Sequence, residues 1–171
     1  TVIPIPTKSV SAIICKGDVY TDENGTNYNT TGQYQYQKNG GKCDTLVNLN
    51  LLVLDFTVNL YKSNDLSCYN EISNITADII DNSGNADPNY TFDYLWTTDV
   101  GNILSGYGTT EIIVNAPGNY QLLVKVNYNG KECLFSSADI YVDQDIQSPI
   151  GNISQIKSLD CSNNLGILSG A

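Results

Sequence analysis

The chain has 171 residues with 18 acidic and eight basic side chains, every basic one a lysine, for a net charge of −10. Such acidity repels phosphate backbones and anionic membranes, which argues against nucleic-acid and membrane-surface partners. The lack of histidine removes Ser-His and Cys-His catalysis and imidazole zinc sites, and no apolar run approaches the roughly 18 residues of a membrane-spanning helix.

Hydrophobic residues make up 41% of the chain, enough for a core, and twelve tyrosines with many Thr, Val and Ile and no Met favour strands. No stretch shows convincing helical periodicity. Residues 1–12, where Pro4 and Pro6 alternate with Ile3 and Ile5, read as an extended linker or edge strand. A small unit follows. Ile13-Ile14-Cys15 is a short strand, Asp18-Val19-Tyr20-Thr21 begins another, and Glu23-Asn24-Gly25 is a turn. Gly32 to Gln37 alternates as a strand, and Lys38-Asn39-Gly40-Gly41 carries a hairpin turn signal because Asn and Gly tolerate positive φ. From Leu46 to Leu54, Val47, Leu49, Leu51 and Val53 alternate with Asn48 and Asn50 and close a module spanning 1–55.

A larger unit, 56–142, opens with the alternating Phe56, Val58 and Leu60, then Ile75, Ala77 and Ile79, then the turn cluster Asp81 to Asn85. Its centre is the stretch from Tyr90 to Cys133. Tyr90, Phe92, Tyr94 and Trp96 share one parity, as do Tyr120, Leu122, Val124 and Val126, so each run buries one face. Between them lies Thr110 to Gly118, which ends in a Pro-Gly turn. Asn129-Gly130 makes a two-residue hairpin to Cys133–Phe135, and Ala138, Ile140 and Val142 form the last strand. About seven short strands with regular turns are the pattern of an immunoglobulin-like sandwich, since a one-sided sheet needs a second sheet to cover it. The expected fold is therefore all-β: tandem β modules, a small disulfide-stapled unit followed by an Ig/PKD-like β-sandwich. Residues 143–171 read as a linker, Asp143 to Ile150, and the truncated start of a further module.

Five cysteines stand at 15, 43, 68, 133 and 161 with no Cys-x-x-Cys pair, which favours structural disulfides in an oxidising compartment over metal or redox sites. Cys15 with Cys43 would close a loop of about 28 residues, stabilising by about 3 kcal/mol a unit too small to hold itself without a staple. Cys68 with Cys133, with Trp96 between them in sequence, suits an inter-sheet disulfide. Cys161 is then the first cysteine of a third unit, unpaired in this fragment. The chain opens without Met and shows no signal peptide, and reads as a mature or excised piece of a longer string of modules.

The runs Ile14-Cys15-Lys16-Gly17-Asp18-Val19-Tyr20, Thr31-Gly32-Gln33-Tyr34 and Cys43-Asp44-Thr45-Leu46-Val47-Asn48-Leu49-Asn50-Leu51 resemble a short repeat of very large secreted surface proteins of Bacteroidetes. Tyr94-Leu95-Trp96 with Gly101 and Gly106, Ala116-Pro117-Gly118-Asn119-Tyr120, and Asn129-Gly130 leading to Cys133 resemble PKD-like and Ig-like modules of the same proteins. Trp96 is followed by Thr97-Thr98 rather than the Gly-Asp-Gly of a PKD signature, so the resemblance is to PKD/Ig-like sandwiches in general. It implies an adhesin, of the kind used in gliding motility and exported by type IX secretion, at the cell surface. It also implies that Thr45, in Asp44-Thr45-Leu46, is a candidate O-glycan acceptor.

Asp139, Asp143 and Asp145 share parity at a module junction and are candidate Ca2+ ligands if the strand persists, although no Asp-x-Asp-x-Asp-Gly loop is present; no other cofactor is expected. No two carboxylates stand out as a hydrolytic pair. Tyr28, Tyr34, Tyr36 and Tyr107 are candidates for stacking on sugars or for cross-strand pairing. The expected function is non-catalytic: a stalk or presenting segment of a long extracellular adhesin. Its expected partners are neighbouring modules of the same chain and surface glycans or abiotic surfaces, with no nucleic acid and no membrane insertion. The alternative is a specific carbohydrate-binding module, which an exposed coplanar aromatic row would favour.

Overall fold

Alternating runs become strands throughout. The computed structural model describes residues 5–38, 44–87, 89–145 and 147, and the backbones of strands 153–157 and 167–170, and these residues form no helix. The first unit comprises β1 (Thr7–Cys15), β2 (Tyr20–Thr21), β3 (Asn27–Tyr28), β4 (Gly32–Lys38) and β5 (Thr45–Leu54). β5 is central in the order β1-β5-β4, with β1 parallel to it and β4 antiparallel. Val47, Leu49, Leu51 and Val53 turn to one face and join Ile14 and Tyr36 in a small core, which Tyr20 and Tyr28 of the β2–β3 ribbon help to cover. The opposite face carries Asn48, Asn50, Ser9 and Ser11 out to solvent.

The ribbon turns around a carboxylate. Asp22 is only 6% exposed, and its oxygens accept hydrogen bonds from Asn24 N at 2.9 Å, Thr26 N at 2.8 Å and Tyr28 Oη at 3.0 Å. Burial alone would raise this carboxyl, but the donors from Thr26, Tyr28 and Asn24 together outweigh it and hold it below the usual carboxylate range.

The second unit comprises β6 (Phe56–Lys62), β7 (Leu66–Ser67), β8 (Ser73–Asp81), β9 (Thr91–Thr98), β10 (Ile103–Ser105), β11 (Glu111–Val114), β12 (Gly118–Tyr128), β13 (Lys131–Ser136) and β14 (Ile140–Val142). One sheet runs β10-β11-β8-β6; in the other, β12 pairs with β9 on one edge and with β13 and β14 on the other. In chain order these are the A-B-E-D and C-F-G strands of a constant-type immunoglobulin sandwich. Beyond it, β15 (Gln144–Asp145) pairs parallel with β7, and β16 (Ile153–Lys157) pairs antiparallel with β17 (Ile167–Gly170).

β12 is the spine because it is paired on both edges and buried on one face. Tyr120, Leu122, Val124 and Val126 are completely buried, each aliphatic one contributing about 1.5–3 kcal/mol of transfer free energy. Ile75, Ile112 and Val114 meet them from the other sheet, and Trp96 joins the same core while its Nε1 donates to Thr109 O at 2.8 Å. Antibody domains place a disulfide between strands B and F. The equivalent strands here, β8 and β12, carry no cysteine, and aliphatic packing stands in its place.

Tyr120, near the start of β12, ties the sandwich end together. Its hydroxyl donates to Ala116 O at 2.6 Å and accepts from Asn102 N at 3.1 Å, the arrangement of a tyrosine corner. Gly101 makes room for it, since a Cβ there would stand 2.3 Å from the hydroxyl. At the other end, Asn129 (φ 50°) and Gly130 (φ 83°) form the two-residue turn of the β12–β13 hairpin, where positive φ matches the strand twist.

Tyr120→Phe leaves the Asn102 N–H and Ala116 carbonyl without their partner and is expected to destabilise by about 1–3 kcal/mol. Gly101→Ala drives a methyl into the same hydroxyl and is expected to destabilise at least as much, both read from urea unfolding midpoints. Because the folded pKa of Asp22 is depressed, its stabilising effect is present above the unfolded value of about 3.9 and is lost as pH falls through the folded pKa. Asp22→Asn should therefore lower the melting temperature at neutral pH and flatten its fall below about pH 4.

Candidate functional site at the junction of the two units

One residue, Asp55, separates β5 from β6. Along β5 the polar–apolar alternation stops at Leu51, and the continuous run to Leu54 serves two cores. Val53 belongs to the first core, whereas Leu52 and Leu54 turn to the sandwich. β1 divides the same way, with Ile14 in the first core and Ile13 and Cys15 against the sandwich. Just inside the sandwich, all three phenylalanines of the chain meet. Phe56 lies 5.9 Å from Phe92 and 5.4 Å from Phe135, and Tyr90 packs edge-on to it at 5.1 Å. Each such pair contributes about 0.5–1.5 kcal/mol beyond area burial.

A disulfide crosses this junction. Cys15, at the end of β1, is bonded to the buried Cys133 of β13, with a Cα–Cα distance of 5.5 Å. Backbone bonds surround it: Lys16 N donates to Leu54 O at 2.9 Å, and Asn82 N donates to Asp55 O at 2.8 Å. The Thr31 hydroxyl accepts from Val53 N at 3.0 Å and donates to Ser83 O at 3.3 Å, so it bridges both units. Lys16 pairs with Asp55 at 2.8 Å and Lys131 with Asp18 at 3.4 Å. Both pairs are largely solvated and contribute about 0–1 kcal/mol each.

The staple therefore lies between the units and not within each, which corrects both expected pairings. β1 and β5 are parallel, with Thr7 opposite Leu46 and Cys15 opposite Leu54. Cys15 thus stands at the far end of the ladder from Thr45, where β5 starts, roughly 30 Å away at ~3.3 Å per residue. A disulfide spans at most about 7 Å between Cα atoms. Cys133 is taken by Cys15, and Cys68 is exposed in the turn after β7 with no bonded partner among the described residues. Cys43 itself and Cys161 lie outside the described residues.

The three candidate calcium ligands do not converge. Asp139 accepts from Gln121 Nε2 at 3.0 Å, Asp143 from Gln144 N at 2.8 Å and Asp145 from Gln147 N at 2.9 Å. Shared parity fails because β14 ends at Val142 and the chain then turns to pair with β7. No three His, Cys, Asp or Glu side chains gather as a ligand set among the described residues. The first residues of the expected linker are tied down instead. Leu66 N donates to Asp143 O, and Asp143 N donates to Asp65 Oδ1, both at 2.8 Å. Lys62 and then this amide hold the Asp65 carboxyl below the usual range. Thr45 opens β5, half-buried opposite Lys38, with Asp44 exposed before it. Of the four tyrosines considered for stacking, Tyr28, Tyr34 and Tyr36 pack around the first core, while Tyr107 is exposed. The junction was the feature sequence reasoning missed. Its signal was the run Leu51-Leu52-Val53-Leu54, which is what a strand buried on both faces looks like.

No protein-family model matches the chain, and no curated protein matches it.

The Cys15–Cys133 bond joins residues 118 apart and by loop-closure entropy stabilises by about 5 kcal/mol. A non-reducing digest should yield one peptide linking Cys15 to Cys133. Cys133→Ser should lower the unfolding free energy by several kcal/mol on the same entropy scale. A Cys15–Cys43 peptide would overturn the assignment.

Proposed function

We propose that the chain is a non-catalytic spacer segment of a long extracellular adhesin, holding adhesive surface away from the cell in surface attachment or gliding motility. The observation that carries this reading is the welded junction. Two β units share apolar burial, are connected by a single residue and are crossed by a disulfide, so the pair behaves as one stiff body. A disulfide fits an oxidising, extracellular setting. The resemblance to repeat modules of Bacteroidetes surface proteins points the same way and adds type IX export and neighbouring modules as partners. A second reading, a carbohydrate-binding module, has lost the tyrosines Tyr28, Tyr34 and Tyr36 as a platform. It draws its support from the uncharged outer face of the first sheet.

Under load a spacer must hold its length. The bond at Cys15 withholds the 118-residue segment up to Cys133 from extension, about 400 Å of contour at ~3.6 Å per residue. Single-molecule pulling from both ends should release that much more length after reduction than before. Antibody to the chain should label intact producing cells, and in-frame deletion should lower their retention under flow. Equal contour lengths in both redox states, or labelling only after permeabilisation, would sink the spacer reading.

A further inference from the structure

The outer face of the first sheet is built as a grid. In the register of β1, β5 and β4, Ser9, Asn48 and Gln35 form one rung, and Ser11, Asn50 and Gln33 the next. Side chains on a rung are spaced by the strand separation of about 4.8 Å, and rungs on one face by about 6.8 Å along the strands. All six are exposed, and all six are neutral amides or hydroxyls.

Two cavities follow this grid. One, of about 520 Å³, lies over the two rungs. The other, of about 370 Å³, continues from Ser11 and Asn50 into the junction, between Thr31, the Gly84–Ala86 loop and Asn129. They share Ser11 and Asn50, so they form one trough from the open sheet to the base of the sandwich. Among the described residues, no Asp, Glu or Lys lines either cavity, although the chain carries 18 acidic and eight basic side chains.

The hydrogen-bonding capacity of the grid is largely unspent. Gln35 Nε2 donates to Asn48 Oδ1 at 2.8 Å, while Ser9, Ser11, Gln33 and Asn50 direct no side-chain hydrogen bond to another protein group among the described residues. A row of unpaired donors and acceptors without charge is complementary to a ligand that is itself neutral and carries many hydroxyls. Ionic ligands find no counter-charge there. An apolar peptide side chain finds no apolar pocket over the two rungs, and a peptide strand would take its backbone bonds at a sheet edge and not on this face.

We propose that this trough binds a neutral polysaccharide strand, with the amides of Gln33, Asn48 and Asn50 and the hydroxyls of Ser9 and Ser11 pairing with sugar hydroxyls. The proposal rests on the carbohydrate-binding reading and gives it a place. It is compatible with the spacer role, because the trough lies beside the welded junction and not across it.

The test is NMR titration of the whole chain with a panel of neutral oligosaccharides (glucan, mannan, xylan and galactan fragments) and an acidic one, oligogalacturonate. Saturable shifts centred on the side-chain amides of Gln33, Asn48 and Asn50 with at least one neutral fragment are expected. The Gln33→Ala/Asn50→Ala double variant and Asn50→Asp should each weaken that binding by about tenfold or more. Their melting temperatures should stay close to that of the parent, since these side chains face solvent. Saturable binding with shifts elsewhere, such as around the exposed Leu95 and Leu134, would overturn the trough and leave the carbohydrate-binding reading standing. No saturable binding by any neutral fragment would overturn both. An equal response to oligogalacturonate would overturn the argument from neutrality.

Discussion

The architecture depends on one constraint: the last residues of β5 are buried on both faces. A half-buried strand needs only one apolar side, and from Val47 to Leu51 β5 meets that need with Asn48 and Asn50 facing water. From Leu51 onward both sides are apolar and packed, because the half-buried Leu52 and the buried Leu54 lie against the sandwich while Val53 lies against the first core. Bending the two units apart would return that apolar surface to water at about 25 cal/mol for each Å². It would also strain the bond from Cys15 to Cys133. The one-residue link at Asp55 leaves no slack to absorb the motion.

The same face of the same sheet thus does two different things along its length. Reading β1 by alternate residues, Ser9 and Ser11 give way to Ile13 and Cys15, and on β5 Asn48 and Asn50 give way to Leu52 and Leu54. Where the face is apolar it joins the units; where it is polar it stays open to solvent as an uncharged grid. The trough and the junction adjoin because a single change of side-chain character creates both.

Within the sandwich the aliphatic and aromatic core carries the work that a disulfide performs in antibody domains. Trp96 packs in a core whose neighbours on β8 and β12 are Ile75, Leu122 and Val124, and the sandwich end is tied by the hydroxyl of Tyr120. Cys133 of this sandwich is free to serve a different purpose because it lies on β13, at the side facing β1. A disulfide between strands of one sandwich stiffens that sandwich alone; one from β1 to β13 fixes the relation of two.

Strand existence and facing were legible in the residues, since the two-residue period of a strand is local and Tyr120 to Val126, Trp96 with Phe92 and Tyr94, and Val47 to Val53 all follow it. The turns at Asn129-Gly130 and Glu23 to Gly25 were legible for the same reason, because backbone φ preference belongs to single residues. The all-β sandwich followed from these. Which strands lie side by side was decided only in three dimensions. The parallel pairing of β1 with β5 places Cys15 at the opposite end of the ladder from the start of β5, and no local pattern distinguishes it from an antiparallel pairing that would bring Cys15 near Cys43. The Cys15–Cys133 pairing and the alignment of Ser, Asn and Gln side chains into rungs depend on that register, while the end of β14 and the pairing of β15 with β7 keep Asp139, Asp143 and Asp145 apart. Sequence determines what each residue can bury or bond to; the tertiary structure decides which distant residue it meets, because contacts between strands are set by the global packing of apolar faces and not by neighbours along the chain.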